Sequence, residues 1–232
     1  MHHTFRSYLF AGVLSVTAVV SAAAQTTPPT ETKEAAYTRT INERADKIVA
    51  TLGSLNAKTS GQVRDIIAGQ YRALNEIHEK QKAQVTAIKA KPQDEATKAE
   101  LEKSEAATNA ALDKLHAQYL KKLERHLTAA QVEKVKDGMT YSVAPNTMRA
   151  YNDMLPNLTE AQKAQMLAWL VEAREHAMDA STSEKKHAWF GKYKGKINNY
   201  LSAAGIDMNQ AGKDWQARIA ERKAAEATQP AK

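Results

Sequence analysis

Between Gly61 and Pro92 the apolar residues Val63, Ile67, Leu74, Ile77, Val85 and Ile88 recur at near-heptad spacing. That period keeps one face of a long helix apolar, and Pro92 stops the helix because its ring cannot continue the hydrogen-bond ladder. A helix of this length must lay its stripe on another element. The next segment, Asp94 to His126, supplies one in Leu112, Leu115, Tyr119 and Leu123. The two are expected to form a long antiparallel hairpin with a polar tip near Lys89 to Ala99. Nine Gly and six Pro in 232 residues argue against strands and turns. Ala, Lys, Glu, Gln and Leu, the strong helix formers, dominate the interior of the chain. The expected fold class is all-α, the hairpin packing with a C-terminal helical cluster.

The remaining elements follow from the same signals. A first helix, Lys33 to Leu52, carries Ile41, Ala45, Ile48, Val49 and Leu52, with Gly53 ending it. Helices are expected over Ala129 to Asp137, with Gly138 as the stop, and over Thr147 to Met154, after a loop holding Pro145. Two more cover Glu160 to Asp179 and Glu184 to Ala204, and a last one holds Met208, Ala211, Trp215 and Ile219.

The N-terminus reads as an address. A short charged start, an apolar run from Leu9 to Val20 and Ala22-Ala23-Ala24 make a secretory signal peptide over residues 1–24, cleaved before Gln25. Twelve apolar residues would span only roughly 18 Å of a ~30 Å bilayer core, too little for an anchor. Residues 25–32, with Pro28-Pro29, read as a flexible leader, residues 33–226 as one helical domain and residues 227–232 as a disordered tail. The expected location is periplasmic or secreted, with no membrane anchor after cleavage. Zero Cys excludes disulfides, thiolate metal sites and a catalytic thiol. A formal charge of +7 would admit nucleic acid, but export argues against it. Glu175 with Asp179, and His176 with His187, lack the spacing of a known metal motif, so no metal and no cofactor are expected.

Leu127-Thr128-Ala129-Ala130-Gln131 and Leu158-Thr159-Glu160-Ala161-Gln162 share the pattern L-T-x-x-Q. Physically this is a capping box: Thr accepts from the N3 amide, and Gln reaches back to the Thr amide. The pattern also resembles the repeated motif of the small helical Spy/CpxP periplasmic chaperones.

Seven of the eleven aromatic residues after the signal segment lie between Tyr141 and Tyr200. The run Glu184 to Tyr200 holds five Lys and one Glu. On a helical wheel Trp189, Tyr193, Ile197 and Tyr200 share one face. His187, Gly191, Lys194, Gly195 and Asn198 share the opposite one. Two interior glycines cost about 1 kcal/mol each against Ala, so either a helix packs closely there or a ligand approaches the backbone. In the preceding helix Arg174 interrupts the apolar stripe of Leu167, Leu170, Val171 and Met178. It is either half of an internal ion pair or the fork that holds an anionic ligand. Gln70, Tyr71, His78 and Gln81 interrupt the second helix in the same way, His78 reading as a satisfied core histidine.

The runs Val171-Glu172-Ala173-Arg174-Glu175-His176-Ala177-Met178-Asp179 and Lys185 to Tyr200 resemble the domain-of-unknown-function 3826 family. So do Glu43-Arg44-Ala45-Asp46-Lys47-Ile48-Val49 and Val135-Lys136-Asp137-Gly138-Met139-Thr140-Tyr141. The resemblance implies an exported protein of Bacteroidota-type bacteria, encoded among glycan-degrading systems and sugar-binding, with no residue assigned a task. The candidate ligand-binding set is therefore Arg174, His176, Lys186, His187, Trp189, Lys192, Tyr193, Lys194, Asn198, Asn199 and Tyr200. The leading expectation is an extracytoplasmic carbohydrate-binding protein, with an anionic glycan as partner. The alternatives are a Spy-like holdase and a glycan-active enzyme such as a uronate lyase. The lyase would use Arg174, Lys192, His187 and Tyr193 to neutralise the carboxylate and take the adjacent proton.

Overall fold

The computed structural model describes residues 31–92 and 94–227. The expected signal peptide and most of the expected leader and tail lie outside the described residues. Eight helices form the described chain, and no strand occurs in it. They are α1 (Lys33–Val49), α2 (Ala57–Lys89), α3 (Glu95–Glu124), α4 (Ala129–Met139), α5 (Val143–Met154), α6 (Glu160–Met178), α7 (Ser183–Ala203) and α8 (Met208–Ala227).

The hairpin forms as its apolar stripes require. α2 and α3 pack antiparallel, with α1 along α2 and α4 closing the base against α1 and α3. α6 and α7 form a second hairpin, covered by α5 and α8. Each helical pair buries its own cluster. Ile41, Ile67, Tyr119, Leu123 and Met139 centre the first, and Met166, Leu170, Phe190, Ile197 and Leu201 the second. α6 joins them, since Met178 belongs to the first cluster and the adjacent Ala177 to the second.

Both L-T-x-x-Q segments are complete capping boxes, at the starts of α4 and α6. Leu127 and Val132 are both buried, and they occupy the positions of a hydrophobic staple. α2 begins four residues earlier than expected because the Asn56 side chain accepts from the Thr59 amide. The expected loop around Pro145 is instead the first turn of α5. Proline is tolerated there because a first-turn amide has no helical acceptor to lose.

Gly138 is not a stop. α4 runs through it to Met139, and a Cβ on Gly138 would lie 2.8 Å from Ile48 Cγ1. Glycine is required there for the approach of α1, not for its freedom of φ. The stop comes at Tyr141, which holds the left-handed conformation at φ 58 that glycine usually takes. The Tyr141 amide donates to Gly138 O at 3.4 Å and the Ser142 amide to Asp137 O at 2.7 Å, the paired bonds of a Schellman turn. A non-glycine residue in this conformation costs about 1–2 kcal/mol, which the turn retains.

Candidate functional site

The α7 register decides which of the expected residues can meet a ligand. Its buried face is Lys186, Phe190, Tyr193, Ile197 and Leu201. Trp189 and Tyr200, which share a face with Tyr193 and Ile197 on the wheel, are therefore flank residues, partly buried against the second cluster. Gly191 and Gly195 face open space, with nothing within 4 Å of an added Cβ. Close helix packing thus has no part in their presence.

Two hollows flank the α6–α7 turn and share His78, Ala180 and Ser181 on their walls. The larger is a groove of about 680 Å³ between the α2/α3 hairpin, along its stretch beyond Leu74, and α6/α7. On its α7 side the Trp189 indole stacks on the His176 imidazole, with centroids 4.4 Å apart and planes 16° apart. The Lys192 ammonium stands 5.1 Å from the indole centroid, a cation–π distance. Gln81, Thr108, Asn109 and Asp113 face this shelf from the hairpin, and Lys185 adds a second cation.

The smaller hollow is a cleft of about 220 Å³ between α1, α2, the Tyr141 turn and the start of α7. Arg44 and Lys186 reach it together with Tyr37, Tyr71 and Tyr141. Lys186 is 6% exposed. Its ammonium donates to Ala177 O and Met178 O at 2.8 Å each, closing the C-terminal end of α6. Burial pushes its pKa down to about 8; Asp179 opposes that fall and the Arg44 charge adds to it. The Tyr141 ring stacks on His187 at 5.5 Å.

The eleven expected site residues thus divide. His176, Trp189 and Lys192 come together in the groove. Lys186 lines the cleft, and His187 braces its wall. Tyr193 is buried behind the shelf, its ring 6.5 Å from that of His176. Asn198 accepts from the Tyr151 hydroxyl at 2.6 Å, turning toward α5, and the Lys194 carbonyl is 3.5 Å from the same hydroxyl. Asn199 is exposed, and Tyr200 packs edge-on to Trp169 at 5.2 Å, farther along α7.

Arg174 lines neither hollow. It is 4% exposed, and its guanidinium bonds Asp137 at 2.7 Å and Glu133 on α4. Of the two accounts open for it, the internal ion pair is the geometry found. The same seam continues through Lys136, 3.2 Å from Glu175, and His116, which bonds Asp179 at 2.8 Å and lies 3.2 Å from Glu175. The Asp179 and Glu175 hydrogen bonds outweigh desolvation and raise the His116 pKa to about 9. Desolvation alone would raise Glu175, but its His116 bond and the Lys136 and Arg174 charges hold it near 2. These carboxylates are occupied in joining helices. No group of three or more metal-binding side chains occurs among the described residues.

The lining residues left out of the candidate set are led by Arg44, Tyr71, Tyr141 and Lys185. Tyr71 and His78 had a signal in the interrupted stripe of α2, where His78 Nε2 bonds Asp179 O at 2.7 Å. The four segments that carry the family resemblance meet here. Ile48 touches Gly138, Asp137 holds Arg174, and Tyr141 stacks on His187. The family described as protein of unknown function, DUF3826, matches residues 38–221, and the chain belongs to it. No curated protein matches the sequence.

Proposed function

We propose that this member of the 3826 family binds carbohydrate outside the cytoplasm, with an acidic glycan lying along the groove between the two helical hairpins. The observation that carries this reading is the shelf of Trp189 on His176, set in a groove of sugar scale opposite amide, hydroxyl and carboxylate side chains. A pyranose ring has an apolar C–H face and a rim of hydroxyls. It suits a flat aromatic surface bordered by a few polar groups. The lining holds charges of both signs, but Asp179 is bonded to His116 and Asp113 stands on the hairpin wall, so the positive charge of Lys185 and Lys192 lies on the shelf side, where it favours glycans that carry negative charge. The signal segment before Gln25 supplies the route to such a partner.

A holdase needs a broad exposed apolar surface. The large hydrophobic residues exposed among the described residues are Tyr141 and Leu167, on separate elements. This favours the sugar reading over the chaperone one.

Titration calorimetry of the chain beginning at Gln25 with oligogalacturonate tests the proposal. The wild type binds, and Trp189→Ala lowers affinity at least tenfold, about 1.4 kcal/mol. Equal binding by Trp189→Ala, or no binding by the wild type across neutral and acidic oligosaccharides, rejects it.

A further inference from the structure

We propose that the cleft beside Tyr141 is an oxyanion subsite, in which Arg44 and Lys186 take a carboxylate or sulfate ester of an acidic sugar. The identity of the ligand rests on the carbohydrate reading above; the anion preference does not.

The lining of this cleft brings two cationic side chains together and includes no carboxylate. The buried or half-buried cations near the α6–α7 turn other than Lys186 have carboxylate partners, Arg174 in Asp137 and Glu133 and Lys136 in Glu175, whereas Arg44 reaches the cleft from an exposed position on α1. Arg44 makes no ion pair and lies 6.0 Å from the centroid of the Tyr71 ring. The Asp179 carboxylate offsets part of the Lys186 charge, but it bonds His116 outside the cleft lining, so the face that Arg44 and Lys186 present to the cleft carries no anion. Lys186 gives two of its three protons to backbone carbonyls and retains one. The start of α7 also lines the cleft through Thr182 and Ser183, so the positive end of a 21-residue helix adds to the field.

Tyr141 supplies an independent pointer. Glycine at 141 would relieve one of the two left-handed residues of this turn, Ser142 at φ 54 being the other, yet Tyr141 keeps φ 58 and holds its ring against His187 at the cleft wall. Backbone strain retained for the sake of a side chain is characteristic of ligand sites. The cleft of about 220 Å³ is smaller than the roughly 300–1,000 Å³ of a pocket for a drug-sized molecule. It suits one acidic group or one sugar unit. Because it shares His78, Ala180 and Ser181 with the groove, a single glycan can lie on the Trp189 shelf and place a charged substituent in the cleft.

The test measures binding of sodium sulfate, D-galacturonate, D-galactose and oligogalacturonate by the wild type, Arg44→Gln, Tyr141→Gly and Trp189→Ala. Arg44 makes no hydrogen bond that its loss would strand, so Arg44→Gln keeps the fold. The wild type should bind galacturonate or sulfate, and galactose at least tenfold more weakly. Which of the two anions binds tells carboxylate from sulfate ester. Arg44→Gln should lose at least tenfold in affinity for that anion. Tyr141→Gly should lose affinity while its melting temperature holds or rises. Trp189→Ala should bind the small anion as the wild type does. Absence of anion binding by the wild type, or equal binding by Arg44→Gln, overturns the subsite. If oligogalacturonate binds Arg44→Gln normally but not Trp189→Ala, the subsite fails and the groove reading stands. If small anions bind through Arg44 but no oligosaccharide does, the subsite stands and the carbohydrate reading fails.

Discussion

Arg174 shows how a single side chain can be conspicuous in sequence and still ambiguous. A guanidinium in an apolar stripe must be compensated, and the sequence offered a partner helix or a ligand as the means. The carboxylates that take it, Glu133 and Asp137, stand 41 and 37 positions earlier, and no local pattern ties them to it. Replacing it with methionine would keep the bulk and leave Asp137, 24% exposed, beside the core without its cation. Glu133 is half exposed and would rehydrate. Arg174→Met should therefore destabilise by about 1–3 kcal/mol, less than a fully buried pair would lose, as read from urea unfolding. A neutral result would mean that the two carboxylates are solvated in the native state. Arg44 presented the opposite difficulty. It sits at an exposed position of α1, and only the cleft formed by distant elements makes it notable.

At the level of elements, the helices and their order were legible because periodicity and caps are local. What they face was less so. Of the four residues that share one face of α7 on the wheel, Tyr193 and Ile197 lie on the core face and Trp189 and Tyr200 only border it. The structure buries Phe190 and Leu201 and leaves Trp189 and Tyr200 on the flanks. The stem of Lys186, an unlikely core residue by type, lies on the buried face with its charge tied to backbone carbonyls. Glycines were similarly opaque, since one letter serves opposite purposes. Gly138 makes room for Ile48, and its replacement by alanine should cost about 1–3 kcal/mol through overpacking, offset by up to ~1 kcal/mol of helix propensity. Gly191→Ala and Gly195→Ala meet nothing and should each stabilise by about 0.5–1 kcal/mol. Thermal melts of the three variants should separate in sign. A Gly138→Ala protein as stable as the wild type would show that α1 can shift to admit the methyl group.

For the molecule as a whole, the charged seam between α3, α4 and α6 links stability to pH. His116 titrates near 9 when folded against an ordinary value of about 6.5, so its contribution is complete below pH 6.5 and is lost as pH rises toward 9. Lys186 acts with the opposite sign between pH 8 and its ordinary 10.5, because folding there no longer buries a charge. The window from pH 6.5 to 8 isolates the histidine. Unfolding free energy should fall by about 2 kcal/mol across it, and His116→Gln should flatten that part of the profile. A wild-type curve already flat there would mean that His116 holds no extra proton.

The long hairpin has a further consequence. Among the described residues, no hydrophobic side chain is fully buried between Leu74 on α2 and Tyr119 on α3. The outer part of the hairpin therefore stands as a two-helix arm with no third layer behind it. Gln81, Thr108 and Asn109, which form one wall of the groove, lie on this thin stretch, whereas Trp189 and His176 rest on the second core. The groove is thus a jaw with one fixed side and one compliant side. On the proposed carbohydrate reading, a guest would press on a wall that can bend, and part of the binding free energy would go into holding the arm still. Such a jaw would accept chains of differing substitution pattern more readily than a rigid slot of the same outline.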